Sequence, residues 1–157
     1  NPVYLWKQRG TYAPVKVTAS VAQAAMIGNP VSFPKVRRLV EEHFRERFAV
    51  VEVTEQQIID AMLTANRHGH VICTQGGEGV AGLSVALRAK VIEPGMRIVV
   101  DSTAHQLKFA DFQQKYFEGS LPADYEIEPK KELQNRPVDL PASATAIAEF
   151  LNLERKK

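Results

Sequence analysis

Several things are scarce in this 157-residue chain, and each scarcity excludes something. Cys73 is the single cysteine, so no internal disulfide can form, and a reducing, cytoplasmic setting is expected. No apolar run approaches the ~20 residues of a membrane helix, and no stretch reads as a signal peptide, so no membrane partner is expected. Charge of one sign is not in excess: 20 basic against 18 acidic side chains leave +2. That is far from the balance of a nucleic-acid binder, and no nucleic-acid partner is expected. Repeats, low-complexity tracts and a P-loop are all missing. What remains is 45% hydrophobic and 24% charged, enough to bury a core.

The chain opens on Asn1 rather than Met, inside running sequence, which suggests a piece of a longer protein. The charged Glu154-Arg155-Lys156-Lys157 reads as a frayed terminus. Residues 1–33 read as loop, apart from a helix-compatible stretch from Ala19 to Met26. Pro34 suits a helix start, and Val36, Leu39, Val40 and Phe44 follow at helical spacing with a charged opposite face. Thr54 and Gln57 form a capping-box pair ahead of the stripe Ile58, Ile59, Met62 and Leu63, which ends at Gly69.

Three short apolar segments read as strands: Phe48 to Val53, Val71 to Cys73, and Arg97 to Asp101. The glycine-rich Gly76-Gly77-Glu78-Gly79 reads as a turn into a helix from Val80 to Lys90. A helix is expected around Leu107 to Phe117, then extended chain to 141, then an amphipathic helix from Ala142 to Leu153. The alternation predicts an α/β fold, a three-layer parallel sheet with crossover helices. Three strands are few for such a domain, which again suggests missing sequence.

In such a sheet, ligands gather beyond the carboxyl ends of strands. Two loops qualify. Thr74 to Gly79 precedes a helix N-terminus, which favours anions, although an empty tight turn explains it equally well. Ser102 to Lys108 gathers two hydroxyls, an imidazole and an ammonium, although a Ser102 or Thr103 helix cap explains much of that. His68 and His70 look like a metal pair but lack a third ligand, so no metal is expected. Cys73 has no evident base and reads as a buried small residue.

Four motifs then occur in an order similar to that of threonine synthases. They are Thr18 to Lys35 with its Ile27-Gly28-Asn29-Pro30, Val53 to Ala61, Val80-Ala81-Gly82-Leu83, and Thr103-Ala104-His105-Gln106-Leu107-Lys108-Phe109. The resemblance runs over about residues 1–117. It implies the C-terminal part of a pyridoxal 5'-phosphate (PLP) catalytic domain of fold-type II, tryptophan synthase β-like. Residues 118–157 would form a C-terminal extension. It implies a carbon-oxygen lyase acting on phosphates, which turns O-phospho-L-homoserine and water into L-threonine and phosphate. Expected partners are that substrate, the remainder of the polypeptide, and a second copy in a homodimer.

The resemblance sets Thr103 against the cofactor's ring nitrogen, with Ser102, Gln75 and Gly76 as further cofactor-binding candidates. The family's Schiff-base lysine lies in its N-terminal half, and Lys108 does not match it. No catalytic residue is therefore expected in this chain, which should be inactive alone. Where the family often has E-P-x-S-A, this chain has Cys73-Thr74-Gln75-Gly76-Gly77. Two other readings remain. One is a sister PLP enzyme, a dehydratase or a cysteate synthase-like enzyme adding sulfite to phosphoserine. The other is a non-catalytic interaction module.

Overall fold

The structure is a computed structural model that describes residues 2–134 and 138–153. The expectations for Asn1 and for the last four residues lie outside the described residues. Six α-helices appear among those described: α1 Pro2–Arg9, α2 Phe33–Leu39, α3 Glu55–Arg67, α4 Thr74–Arg88, α5 Ala110–Glu118 and α6 Ala144–Phe150. A wider turn, Val40–Phe44, prolongs α2, and short 3₁₀ turns form at Gln23–Ala25, Gln106–Phe109, Ala123–Tyr125 and Lys131–Leu133.

The start of α3 follows from its sequence. The Thr54 side chain accepts from the Gln57 amide at 3.2 Å, and the Gln57 side chain accepts from the Thr54 amide at 2.9 Å. Two otherwise orphaned donors are satisfied together. Gly69, with φ +85°, turns the chain away at the other end, where any side chain would be strained.

The core is built on α3 packed against α4. Ile58, Ile59, Met62 and Leu63 of α3 are buried with Val21, Ala22, Ile72 and the aromatic face Phe112, Tyr116 and Phe117 of α5. Trp6, Phe33 and Val40 make a second, smaller cluster, in which Tyr12 stacks on Phe33 with ring centroids 3.7 Å apart. That cluster explains α1, where the sequence pattern predicts loop: Trp6 finds its apolar partners only in three dimensions.

The structure corrects the expected fold class. The three-layer parallel sheet is absent: among the described residues there is no strand ladder, and the chain is mainly helical. Among the described residues, the β pairing is an isolated antiparallel bridge between Ile72 and His105. A β-branched run becomes a strand only when neighbouring backbone lies about 4.8 Å away to take its hydrogen bonds. Residues 48–53 and 97–101 have no such neighbour here. Val99 stands 92% exposed, where a doubly covered strand would have buried it.

A second correction concerns the glycines. Gly76, Gly77 and Gly79 are not in a turn; they lie inside α4, which starts at Thr74 with Cys73 as its N-cap. Glycine disfavours helix by up to about 1 kcal/mol per residue. Close packing offsets this, because a Cβ at Gly77 would lie 2.6 Å from the Ile58 carbonyl oxygen of α3. The final helix is shorter than expected and buries none of its residues.

The segment after α5 is fastened to α3. The Lys130 ammonium pairs with Asp60, the Lys130 amide donates to the Tyr116 hydroxyl at 2.6 Å, and Gln56 bonds the Glu128 backbone in both directions. Tyr116 is fully buried, and burial pushes its hydroxyl above the ordinary tyrosine value.

Candidate functional site

The start of α4 and the 101–106 loop meet edge to edge. The Cys73 amide donates to the Ala104 carbonyl at 3.1 Å. Glycine at 76 is required for that approach, since a Cβ there would lie 2.8 Å from the Ser102 carbonyl and 2.9 Å from Ile72 Cβ. Thr103 occupies the left-handed region at φ +55°, uncommon for a β-branched residue. Its amide donates to Asp101 Oδ1 at 3.0 Å, and its hydroxyl lies 3.6 Å from the Cys73 sulfur. Cys73 also lies 4.0 Å from the Ser102 carbonyl oxygen.

Thr103 is thus not at the carboxyl edge of a sheet. It is exposed, on a loop held against the first turn of α4. Ser102 is also exposed and borders a different space, a groove of about 940 Å³ shared with Asp60, Thr64, His68, His70 and Arg88. Gln75 points elsewhere. With its amide oxygen turned toward the 3₁₀ turn, it accepts from the Gln23 and Ala24 amides at 3.3 and 2.9 Å. Gly76 serves packing. Of the four candidates, Thr103, Ser102 and Gly76 converge on one loop-helix junction, and Gln75 faces away from it.

Neither Ser102 nor Thr103 caps the helix that follows. The cap is His105, whose Nδ1 accepts from the Leu107 amide at 3.2 Å. Cys73 is buried, as expected, but it is more than core filling. Burial raises its thiol pKa, while the Thr103 hydroxyl and the amides of Gly76, Gln75 and Ala104 lower it more, and the net shift is downward. Asp101 was missed altogether. Its signal was present, because Asp two residues ahead of a backbone amide is a common turn-former.

On the other side of α4, a cavity of about 870 Å³ is bordered by Tyr4, Thr18, Glu52, Glu55, Gln75 and Glu78. Glu78 is half-buried, and burial followed by the nearby Glu55 charge raises its pKa. Among the described residues, no group of three or more His, Cys, Asp or Glu side chains could hold a metal ion, and no helix is long and apolar enough to cross a membrane.

Comparison with known proteins bears on this junction. No protein-family model matches the chain. It is 31% identical over 154 residues, 96% of its own length, to threonine synthase 2, chloroplastic, of Arabidopsis thaliana. It is 31% identical over 99 residues, 62% of its length, to the threonine synthase of Methanocaldococcus jannaschii. The chain is a homologue of the C-terminal part of threonine synthase. It spans about a quarter of these curated relatives, 28% of the first and 24% of the second.

The donor set at the junction agrees with one end of the cofactor that this homology suggests. Thr103 is an exposed residue with a neutral hydroxyl, which lies within reach of the weakly bonding Cys73 sulfur. Such a donor suits an unprotonated pyridine nitrogen. Gln75, already bonded to two backbone amides, does not add to that set.

Proposed function

We propose that this chain forms one wall of the cofactor cleft of a PLP-dependent threonine synthase, which converts O-phospho-L-homoserine and water into L-threonine and phosphate. The observation that carries this reading is the similarity to threonine synthase 2 along nearly the whole chain. The exposed position of Thr103 beside the first turn of α4 supports it.

When bound, the cofactor supplies the electron sink that the reaction needs. Thr103 would hold its ring nitrogen through a neutral hydroxyl. A hydroxyl is no counter-ion, so it leaves that nitrogen unprotonated and moderates the sink. Asp101, the nearest acid in sequence, is occupied by the Thr103 amide. Ser102 turns its side of the loop toward the groove between α3 and α4. Proton transfer at substrate carbon belongs to the Schiff-base lysine of the remaining polypeptide.

The test uses full-length protein supplied with PLP. Phosphate release from O-phosphohomoserine, with a near-visible absorbance band that borohydride abolishes, supports the reading. Turnover of phosphoserine with sulfite instead would assign the sister activity. No band and no turnover with either substrate would leave the non-catalytic module. The 157-residue chain by itself should release no phosphate above background, with or without PLP.

A further inference from the structure

We infer that the groove between α3 and α4 binds a small organic oxyanion, a phosphate ester or carboxylate with an apolar body, for which Arg88 is the counter-charge and the His68 and His70 rings are further donors. The inference stands apart from the reading of Thr103, which does not border this groove.

The groove is built from fixed parts. Gln57, Ala61, Thr64 and His68 recur at three- and four-residue spacing and so share one face of α3; Ala81, Ser84 and Arg88 do the same on α4. The two helices are held together where Gly77 meets Ile58 and Met62. The remaining wall is fastened too. The Asn66 side chain accepts the Ile72 amide at 2.9 Å and donates to Gln106 at 2.8 Å, and the Cys73 amide donates to the Ala104 carbonyl at 3.1 Å. The enclosed space, about 940 Å³, is of the size that takes a small ligand.

Hydrogen-bonding capacity decides which ligand. The acceptors around the groove are spent. Asp60, the one carboxylate bordering it among the described residues, uses both oxygens: Oδ1 accepts from Gln56 at 2.8 Å, and Oδ2 pairs with the Lys130 ammonium. The Gln57 amide oxygen is taken by the Thr54 amide, which leaves its N–H groups to donate. The Ala65 carbonyl accepts from the His68 and His70 amides, and the Ser102 carbonyl accepts from the Ala104 amide. The donors are unspent. Among the described residues, the Arg88 guanidinium and the His68 and His70 rings have no hydrogen bond or ion pair. Arginine brings five N–H donors in a planar fork that matches a carboxylate or phosphate. The floor between these groups is apolar, formed by Ala61, Ala65, Val80 and Ala81, and suits the body of an organic anion rather than a bare ion. The same inventory disfavours a metal, because the Asp60 oxygens that would complete a histidine pair are already bonded.

The test follows the imidazole nitrogen NMR signals of His68 and His70 in full-length, PLP-loaded protein, assigned with His68→Gln and His70→Gln. The protein is titrated with phenyl phosphate, benzoate and phenol. Reading these two rings separates binding in the groove from binding in the cofactor cleft. Phenyl phosphate or benzoate should shift both rings saturably, and the tighter of the two names the source of the oxyanion. Phenol, with the same ring and no negative charge, should bind about tenfold more weakly or worse. Arg88→Gln, at an exposed position, should weaken the tighter anion about tenfold, and Arg88→Lys should recover only part of the loss. Ser84→Leu fills the groove from an exposed position of α4 without touching a charge, and should abolish the shifts. No saturable shift with either anion, phenol binding as tightly as the anions, or unchanged affinity in Arg88→Gln would each overturn the inference, whatever the protein does with O-phosphohomoserine.

Discussion

Two glycines of one helix should respond oppositely to the same substitution. Alanine replaces glycine in a helix interior with a gain of about 1 kcal/mol if the methyl group has room. At Gly82 it has room: the added Cβ meets only Val51 Cγ2, at 3.7 Å, an ordinary contact. At Gly77 it does not, since the Cβ would lie 2.6 Å from the Ile58 carbonyl oxygen and 2.9 Å from Met62 Cβ. The first is backbone and the second is fixed in the core, so α3 and α4 must separate. Overpacking of this kind costs about 1–3 kcal/mol, more than the propensity gain. Gly82→Ala should therefore raise the melting temperature by about 2–4 °C, and Gly77→Ala should lower it by a similar or larger amount. Gly77→Val should be worse still. Thermal unfolding followed by far-UV circular dichroism measures all three. If Gly77→Ala and Gly82→Ala shift the transition equally, the close α3–α4 approach is wrong.

Three further outcomes are expected. Thr54→Ala should cost about 1 kcal/mol in urea unfolding, because it removes the side-chain oxygen that accepts the Gln57 amide, and Thr54→Ser should restore most of the loss. Tyr116→Phe should cost about 1–3 kcal/mol by the same measurement, since its hydroxyl accepts the Lys130 amide from a fully buried ring. The Cys73 thiol has a lower pKa in the folded chain than the ordinary value of 9.0. A depressed folded pKa adds stability as pH rises through it toward the unfolded value, and that gain is lost as pH falls. Wild type should thus gain on Cys73→Ser as pH rises toward 9.0, a trend that paired denaturant titrations will show or refute.

Local signals were legible where they involve neighbours in sequence. The Thr54–Gln57 box, the Ile58 to Leu63 stripe and the stop at Gly69 all lie within one helix, and all formed. What failed required knowing a distant partner. Residues 97–101 have the composition of a strand, but a strand is a property of two segments, and the second is not paired here. The glycines at 76, 77 and 79 look like a turn by composition. Their role became clear only with Ile58, Met62 and Ser102 beside them. The site shows the same division. Thr103, Ser102 and Gly76 could be named from motifs, and they do meet. Gln75 was named too, yet its amide serves the turn at Gln23–Ala25. Cys73 was legible as a buried small residue, but its contact with Thr103, like that of Asp101, runs through a loop conformation that depends on the distant first turn of α4.

The most direct measurement replaces the Thr103 hydroxyl by a carboxylate in the full-length protein at saturating PLP and follows threonine formation together with cofactor absorbance. One charged hydrogen bond contributes about 1.5–3 kcal/mol, enough to move a protonation equilibrium by one to two pH units. Thr103→Asp should therefore keep the cofactor, change its absorbance and lose threonine formation, while Thr103→Ser, which retains the hydroxyl, should stay close to wild type. Wild-type turnover and spectrum in Thr103→Asp would contradict the account.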